Sequence, residues 1–212
     1  MDLQKIDFYF ITDSNLTRRT VAEDVESALS AGVKIIQYRE KNKSAREMVE
    51  EASLIKKMCN GKSIFLINDR VDIALAVGAG GVHLGQDDMP YHTARLLLGE
   101  DKIIGLTAHS AEEAVLAEKD GADYIGASPV FDTETKPDAG KGGGLELIRD
   151  IRKNVKIPVV AIGGINLNNV ASVISAGADS AAAISAVVAS DNVEEECRRF
   201  IKVIQSTQEN CL

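Results

Sequence analysis

The segment Gln37-Tyr38-Arg39-Glu40-Lys41 sets two cations two residues apart at the end of an apolar run. If that run is a strand, alternation sends Gln37, Arg39 and Lys41 to one face. Two cations held together inside a protein are costly unless an anion occupies the space between them. Arginine offers a planar fork and lysine a point charge, and both suit phosphate oxygens. The plainer alternative is a solvated strand end on which Glu40 pairs locally. The depth of Gln37 in the strand argues against it.

Two aspartates follow at matching places. Asn68-Asp69 ends one apolar run, and Gly85-Gln86-Asp87-Asp88 ends the next. Carboxylates facing a pyrophosphate would repel it unless a hard cation lay between them, and magnesium takes one or two carboxylates together with substrate oxygens. Each aspartate also precedes a helical pattern, so a helix cap is an equally good reading of Asp69 and Asp88. Asp87 reads as a cap or a solvated residue.

Thr107 offers a hydroxyl at the end of a further run, and Ser110 fits the N-cap of the helix after it. His109 reads first as a capping or packing residue, His83 as core packing, and His92 as a residue on a helix. The three histidines lack metal-ligand spacing, so no zinc site is expected. A long polar stretch from Pro129 to Gly143 carries Thr133-Glu134-Thr135-Lys136. It is longer than a minimal connector, which suits a lid bringing two hydroxyls and a cation to an anionic group, with a disordered surface loop as the alternative. Gly163-Gly164 and Ile184-Ser185 complete the set, with backbone N–H groups suited to a phosphate.

The elements that would position these residues alternate regularly. Strands are expected at Phe8–Thr12, Lys34–Tyr38, Ile64–Asn68, Gly81–Leu84, Ile103–Thr107, Tyr124–Ala127, Val159–Ile162 and Ser180–Ile184. Helices are expected near 20–31, 44–59, 70–77, 90–99, 110–119, 144–154, 167–175 and 192–206. That alternation predicts βαβ units and a parallel sheet. A small residue and glycine recur before strands in S-A-G-V-K-I-I, A-G-G-V-H-L, K-D-G-A-D-Y-I and S-A-G-A-D-S-A, where a left-handed residue can end a helix. Eight such units predict an α/β fold, a (β/α)8 TIM barrel forming a single domain over residues 1–212, with an open doubly wound sheet as the alternative. In a barrel the chemistry lies at the carboxyl ends of the strands, where the unusual residues fall.

Bulk properties narrow the partners. A net charge of −8 over 212 residues argues against nucleic acid and anionic membrane surfaces. Cys59, Cys197 and Cys211 form no C-x-x-C pair and read as reduced thiols of a cytoplasmic protein. The first apolar run, Phe8 to Ile11, is too short for a signal segment or a membrane span.

At six strand ends the chain resembles the thiamine-phosphate synthase family: Q-Y-R-E-K, N-D-R-V-D-I-A, G-V-H-L-G-Q-D-D, T-A-H-S, S-P-V-F-D-T-E-T-K and A-I-G-G-I. The resemblance implies a transferase that joins 4-amino-2-methyl-5-(diphosphooxymethyl)pyrimidine to 4-methyl-5-(2-phosphooxyethyl)thiazole, or its carboxylated form. Thiamine phosphate and pyrophosphate are the products. It implies that Gln37 to Lys41, Asn68 and Lys136 bind the pyrimidine pyrophosphate and that Thr107 contacts the pyrimidine. Asp69 and Asp88 would hold one magnesium ion per subunit. Thr133, Glu134, Thr135, Gly163, Gly164, Ile184 and Ser185 would bind the thiazole phosphate. Arg39, Lys41, Thr107 and Lys136 are the residues expected to act in catalysis, and small-molecule substrates are the expected partners, with a homo-oligomer left open. Where the family has serine, this chain has Thr107. The related thiazole tautomerase shares R-E-K, R-V-D-I-A and A-H-S but has no use for a magnesium-pyrophosphate site. A non-catalytic phosphate-binding barrel is the third reading.

Overall fold

Each apolar run becomes a short parallel strand covered on both faces, as all-parallel sheets require. The computed structural model describes residues 6–133, 135 and 140–210. Its first half contains β1 (Phe8–Ile11), α1 (Val21–Ser30), β2 (Ile35–Tyr38), α2 (Ala45–Cys59), β3 (Ile64–Asn68), α3 (Val71–Val77), β4 (Gly81–Leu84) and α4 (Tyr91–Leu98). The second half contains β5 (Ile103–Ala108), α5 (Ala111–Asp120), β6 (Tyr124–Ala127), α6 (Gly144–Asn154), β7 (Val159–Ala161), α7 (Val170–Ser175), β8 (Ser180–Ala183), α8 (Ser185–Val188) and α9 (Val193–Asn210). Neighbouring strands pair in sequence order, and Phe8 opposite Ala181 closes β8 onto β1. The closed barrel replaces the open-sheet alternative.

Strand alternation divides the core into two layers. Phe8 and Phe10 face outward into the shell between barrel and helices, where Phe8 stacks on Phe200 of α9 at 4.8 Å between ring centres. Burial of a side chain such as Phe200 contributes roughly 2 kcal/mol. Tyr9 and Ile11 face inward and meet Ile35, Leu66, Tyr124, Val160 and Ala182. Two glycines make room for this inner layer. A Cβ on Gly105 would lie 2.0 Å from the Tyr124 ring, and one on Gly126 would lie 2.7 Å from His83.

Strand ends differ from expectation by single residues. Thr12, Lys34, Ile162 and Ile184 fall outside their strands, while Ala108 extends β5. The one-turn α8 was not foreseen, α7 starts only at Val170, and α9 continues to Asn210. In three of the joints Gly32, Gly121 and Gly177 take the expected positive φ. In A-G-G-V-H-L that duty falls to Gly78, which ends α3 before the motif begins. Cys59 and Cys197 are buried free thiols, while Cys211 lies outside the described residues. No described helix is long and apolar enough to cross a membrane.

Candidate active site

The carboxyl ends of the strands surround an open mouth whose wall includes Gln37, Arg39, Asn68, Thr107, Gly163 and Ser185. One side is charged. Arg39, at the end of β2, forms an ion pair with Asp13, and both side chains are largely buried. The same two strand ends are clamped by Thr12, whose Oγ1 accepts from the Arg39 backbone N–H at 3.0 Å and donates to the Arg39 carbonyl at 3.3 Å. The interior anion demanded by Arg39 is therefore supplied by the protein, leaving the guanidinium oriented at the rim. Lys41 pairs with Asp69 in the same way across the β2–β3 gap, at a more exposed position.

Asp69 sits at φ 60°, in the left-handed region that non-glycine residues rarely enter. The strain, of order 1 kcal/mol, is held by the bond from its backbone N–H to the His83 carbonyl at 2.9 Å. The turn aims the Asp69 carboxylate at Asp88. Burial pushes the Asp69 carboxyl up, but hydrogen bonds with Asp88 and Lys41 bring it below its usual value. Burial, together with the bond to Asp69, raises Asp88. The backbone N–H of Gly85 donates to Asp88 Oδ2 at 2.7 Å and helps to hold that carboxyl in place.

The helix-cap reading fails for both aspartates, because the N-cap positions of α3 and α4 are Arg70 and Pro90. Two carboxylates brought together at neighbouring strand ends are oxygen donors of the kind a hard divalent cation takes. The donor set therefore fits magnesium. Among the described residues no group of three such ligands assembles, so a bound ion would draw its remaining oxygens from substrate and water.

The other side is neutral. Gly163 and Gly164 lie at φ 103° and 61°, and Thr133, Thr135, Ile184 and Ser185 share the pocket wall with them. A Cβ at Gly163 would meet Pro129 at 2.7 Å, and one at Gly164 would meet the Asp132 carbonyl oxygen at 2.7 Å. Glycine is required here because the β6–α6 segment packs directly on this turn. Val130 N–H bonds to the Ile162 carbonyl at 2.9 Å, and Phe131 N–H to that of Gly163 at 3.0 Å. The beginning of the expected lid is thus pinned to the end of β7. Three consecutive glycines, Gly142 to Gly144, follow it, with Gly142 lying against the Phe131 and Asp132 backbones and Gly143 against Leu147. Glu134 and Lys136 lie outside the described residues.

Several expectations change in detail. Asn68, Gln37 and Thr107 line the mouth as read. Tyr38 turns outward, where its hydroxyl donates to Glu51 at 2.6 Å. Glu40 is buried below the rim and accepts from the backbone N–H groups of Lys41 and Asn42, each at 2.8 Å. Both side chains lie off the pocket, because alternation points them away from the face that carries Arg39. His109 pairs with Glu113 at 3.0 Å on the surface. His83 corrects the core-packing expectation: it lines the pocket and bonds to Thr107 and Tyr124, each at 2.9 Å.

Thr12, Asp13, Tyr9 and Tyr124 were not singled out from sequence. A signal for the first two was present, since Thr12-Asp13 follows β1 much as Asn68-Asp69 closes β3.

The sequence model of the family described as thiamine monophosphate synthase matches residues 8–187. The chain belongs to this family. Within the thiamine monophosphate synthase family, a thiamine-phosphate synthase from Methanosarcina barkeri is 60% identical, over 97% of this chain and 94% of the relative. One from Chloroflexus aurantiacus is 48% identical over 96% and 95%. A solved structure of thiamine phosphate pyrophosphorylase from Pyrococcus furiosus superposes with a TM-score of 0.89 at 42% identity, covering 97% of this chain and 98% of that one.

Proposed function

We propose that this chain is a thiamine-phosphate synthase, a transferase that joins the pyrimidine pyrophosphate to the thiazole phosphate with release of pyrophosphate. The observation that carries this reading is a mouth lined by Arg39 and by a neutral glycine turn, with Lys41 and the carboxylates of Asp69 and Asp88 meeting at the neighbouring strand ends. Two chemically different anion subsites suit two phosphorylated substrates. Neither the tautomerase nor a passive phosphate binder calls for the charged half.

The chemistry follows from the groups present. The bond between the pyrimidine methylene carbon and the pyrophosphate oxygen breaks, and its electron pair leaves with the pyrophosphate. Charge growing on that oxygen is stabilised by Arg39 and Lys41, with Lys136 added from the sequence. Asp69 and Asp88 would hold one magnesium ion, which supplies Lewis-acid neutralisation of the leaving group. The amino-substituted ring stabilises the methylene cation left behind. The thiazole nitrogen then donates its lone pair to form the carbon–nitrogen bond. That nitrogen carries no proton, so no general base is needed, in keeping with the surface position of His109. The glycine turn, Thr133, Thr135 and Ser185 would hold the acceptor's phosphate, and Gln37, Asn68 and Thr107 would orient the pyrimidine. Buried free Cys59 and Cys197 fit a cytoplasmic setting.

Incubation of the purified protein with both substrates and magnesium should yield thiamine phosphate by mass spectrometry. No product with magnesium present would remove the reading. Isomerisation of the thiazole carboxylate phosphate alone would instead favour the tautomerase.

A further inference from the structure

A continuous line of hydrogen bonds crosses the floor of the mouth. Gln37 Nε2 donates to Tyr9 Oη at 2.7 Å, and Tyr9 Oη lies 2.9 Å from Tyr124 Oη. Tyr124 Oη lies 2.9 Å from His83 Nδ1, and His83 Nε2 lies 2.9 Å from Thr107 Oγ1. The five side chains come from five different strands. Gln37, Tyr9 and Tyr124 are each no more than 2% exposed. The room they need is supplied by Gly105 and Gly126, so the line is built into the barrel rather than adventitious.

Counting protons gives the line a direction. A buried hydroxyl proton without an acceptor costs about 1–3 kcal/mol. Tyr9 accepts from the Gln37 amide, so its single proton goes to Tyr124. Tyr124 in turn gives its proton to His83 Nδ1, which must then be bare. A neutral imidazole with a bare Nδ1 carries its proton on Nε2 and donates it to Thr107. Thr107 accepts there, leaving its own proton to point into the cavity.

We infer that His83 is a positioning residue: a one-way chain from Gln37 through Tyr9 and Tyr124 holds it in the Nε2–H tautomer and makes Thr107 a fixed donor. The ligand group that answers a fixed donor at this depth is an unprotonated ring nitrogen, as a pyrimidine presents. The ligand half of this inference rests on the function proposed above. The tautomer does not.

The chain polarity is read directly from nitrogen-15 spectra of histidine-labelled protein without substrate, with the His83 signals identified by their loss in His83→Gln. The expected pattern is an unprotonated Nδ1 and a protonated Nε2. The reverse tautomer, or a ring protonated on both nitrogens, overturns the inference.

A kinetic arm tests the consequence. Tyr124→Phe, which removes the donor to Nδ1, should raise KM for the pyrimidine pyrophosphate about tenfold. KM for the thiazole phosphate and the affinity for inorganic pyrophosphate with magnesium should stay unchanged. Thr107→Val should match that loss, and Thr107→Ser should restore near-native KM. A Tyr124→Phe enzyme with native KM for the pyrimidine overturns the positioning role. If the native chain forms no thiamine phosphate, the activity reading fails while the nitrogen-15 pattern still decides the chain.

Discussion

Asp88 and Asp69 meet across the ends of β4 and β3, where burial and the contact with Asp69 raise the Asp88 carboxyl above its usual value. Two acidic groups brought this close are unfavourable as two anions and favourable once a cation separates them. Calorimetry should show pyrophosphate binding that strengthens with magnesium in the native chain. In Asp69→Ala or Asp88→Ala the magnesium-dependent gain should fall by at least about 100-fold. Unchanged binding in both variants would remove the metal assignment.

Arg39 and Asp13 form the most buried ion pair at the rim. Removing one partner leaves an uncompensated charge, which costs about 3 kcal/mol in such a setting. Urea denaturation of Asp13→Ala should show a loss of that order. Arg39→Lys should fold but bind pyrophosphate at least about tenfold more weakly, because lysine lacks the fork that spans both Asp13 and the ligand. A fully active Arg39→Lys enzyme would contradict a role for the guanidinium geometry.

Gly164 combines φ 61° with a 2.7 Å approach to the Asp132 carbonyl oxygen. Gly164→Ala should therefore displace the β6–α6 segment and cost about 2 kcal/mol of stability. In steady-state kinetics KM for the thiazole phosphate should rise about tenfold or more, while KM for the pyrimidine pyrophosphate changes little. An equal rise in both would mean that the turn serves the whole mouth rather than one subsite.

Glu40 anchors the backbone that carries Lys41. Burial pushes its carboxyl up, but the Asn42 N–H, the Ser14 hydroxyl, Lys43 and the Lys41 N–H together hold it below 4.5. A group lowered on folding stabilises the native state above its unfolded value, and that contribution is lost as pH falls through the folded value. Thermal melts from pH 7 to pH 3 should show this loss in the native chain. Glu40→Gln should be less stable at pH 7 and should converge toward the native chain in acid. Parallel curves would show that Glu40 contributes nothing through its charge.

The barrel was legible because each repeat carries its own local signal, an apolar run bounded by a glycine joint and followed by a helical period. Arg39 was legible as a residue of the mouth because a cation at a strand end is out of place unless used, whereas Lys41, Asp69 and Asp88 meet at the neighbouring strand ends, outside the pocket wall. Tyr38 and Glu40 shared their motif but turned away, since alternation assigns them to the opposite side. His83 was hidden between Val82 and Leu84, where a polar residue in an apolar run reads as packing. Its partners, Tyr124 and Thr107, come from other strands, and no local pattern announces such a meeting. The Asp13–Arg39 pair was hidden for the same reason, being long-range and made by a loop residue.

The central claim is tested most directly by following both products in one reaction. With both substrates and magnesium, pyrophosphate and thiamine phosphate should appear in equal amounts, and chelation of the metal should stop both. Pyrophosphate released without thiamine phosphate, or thiamine phosphate formed at the native rate after chelation, would contradict the account.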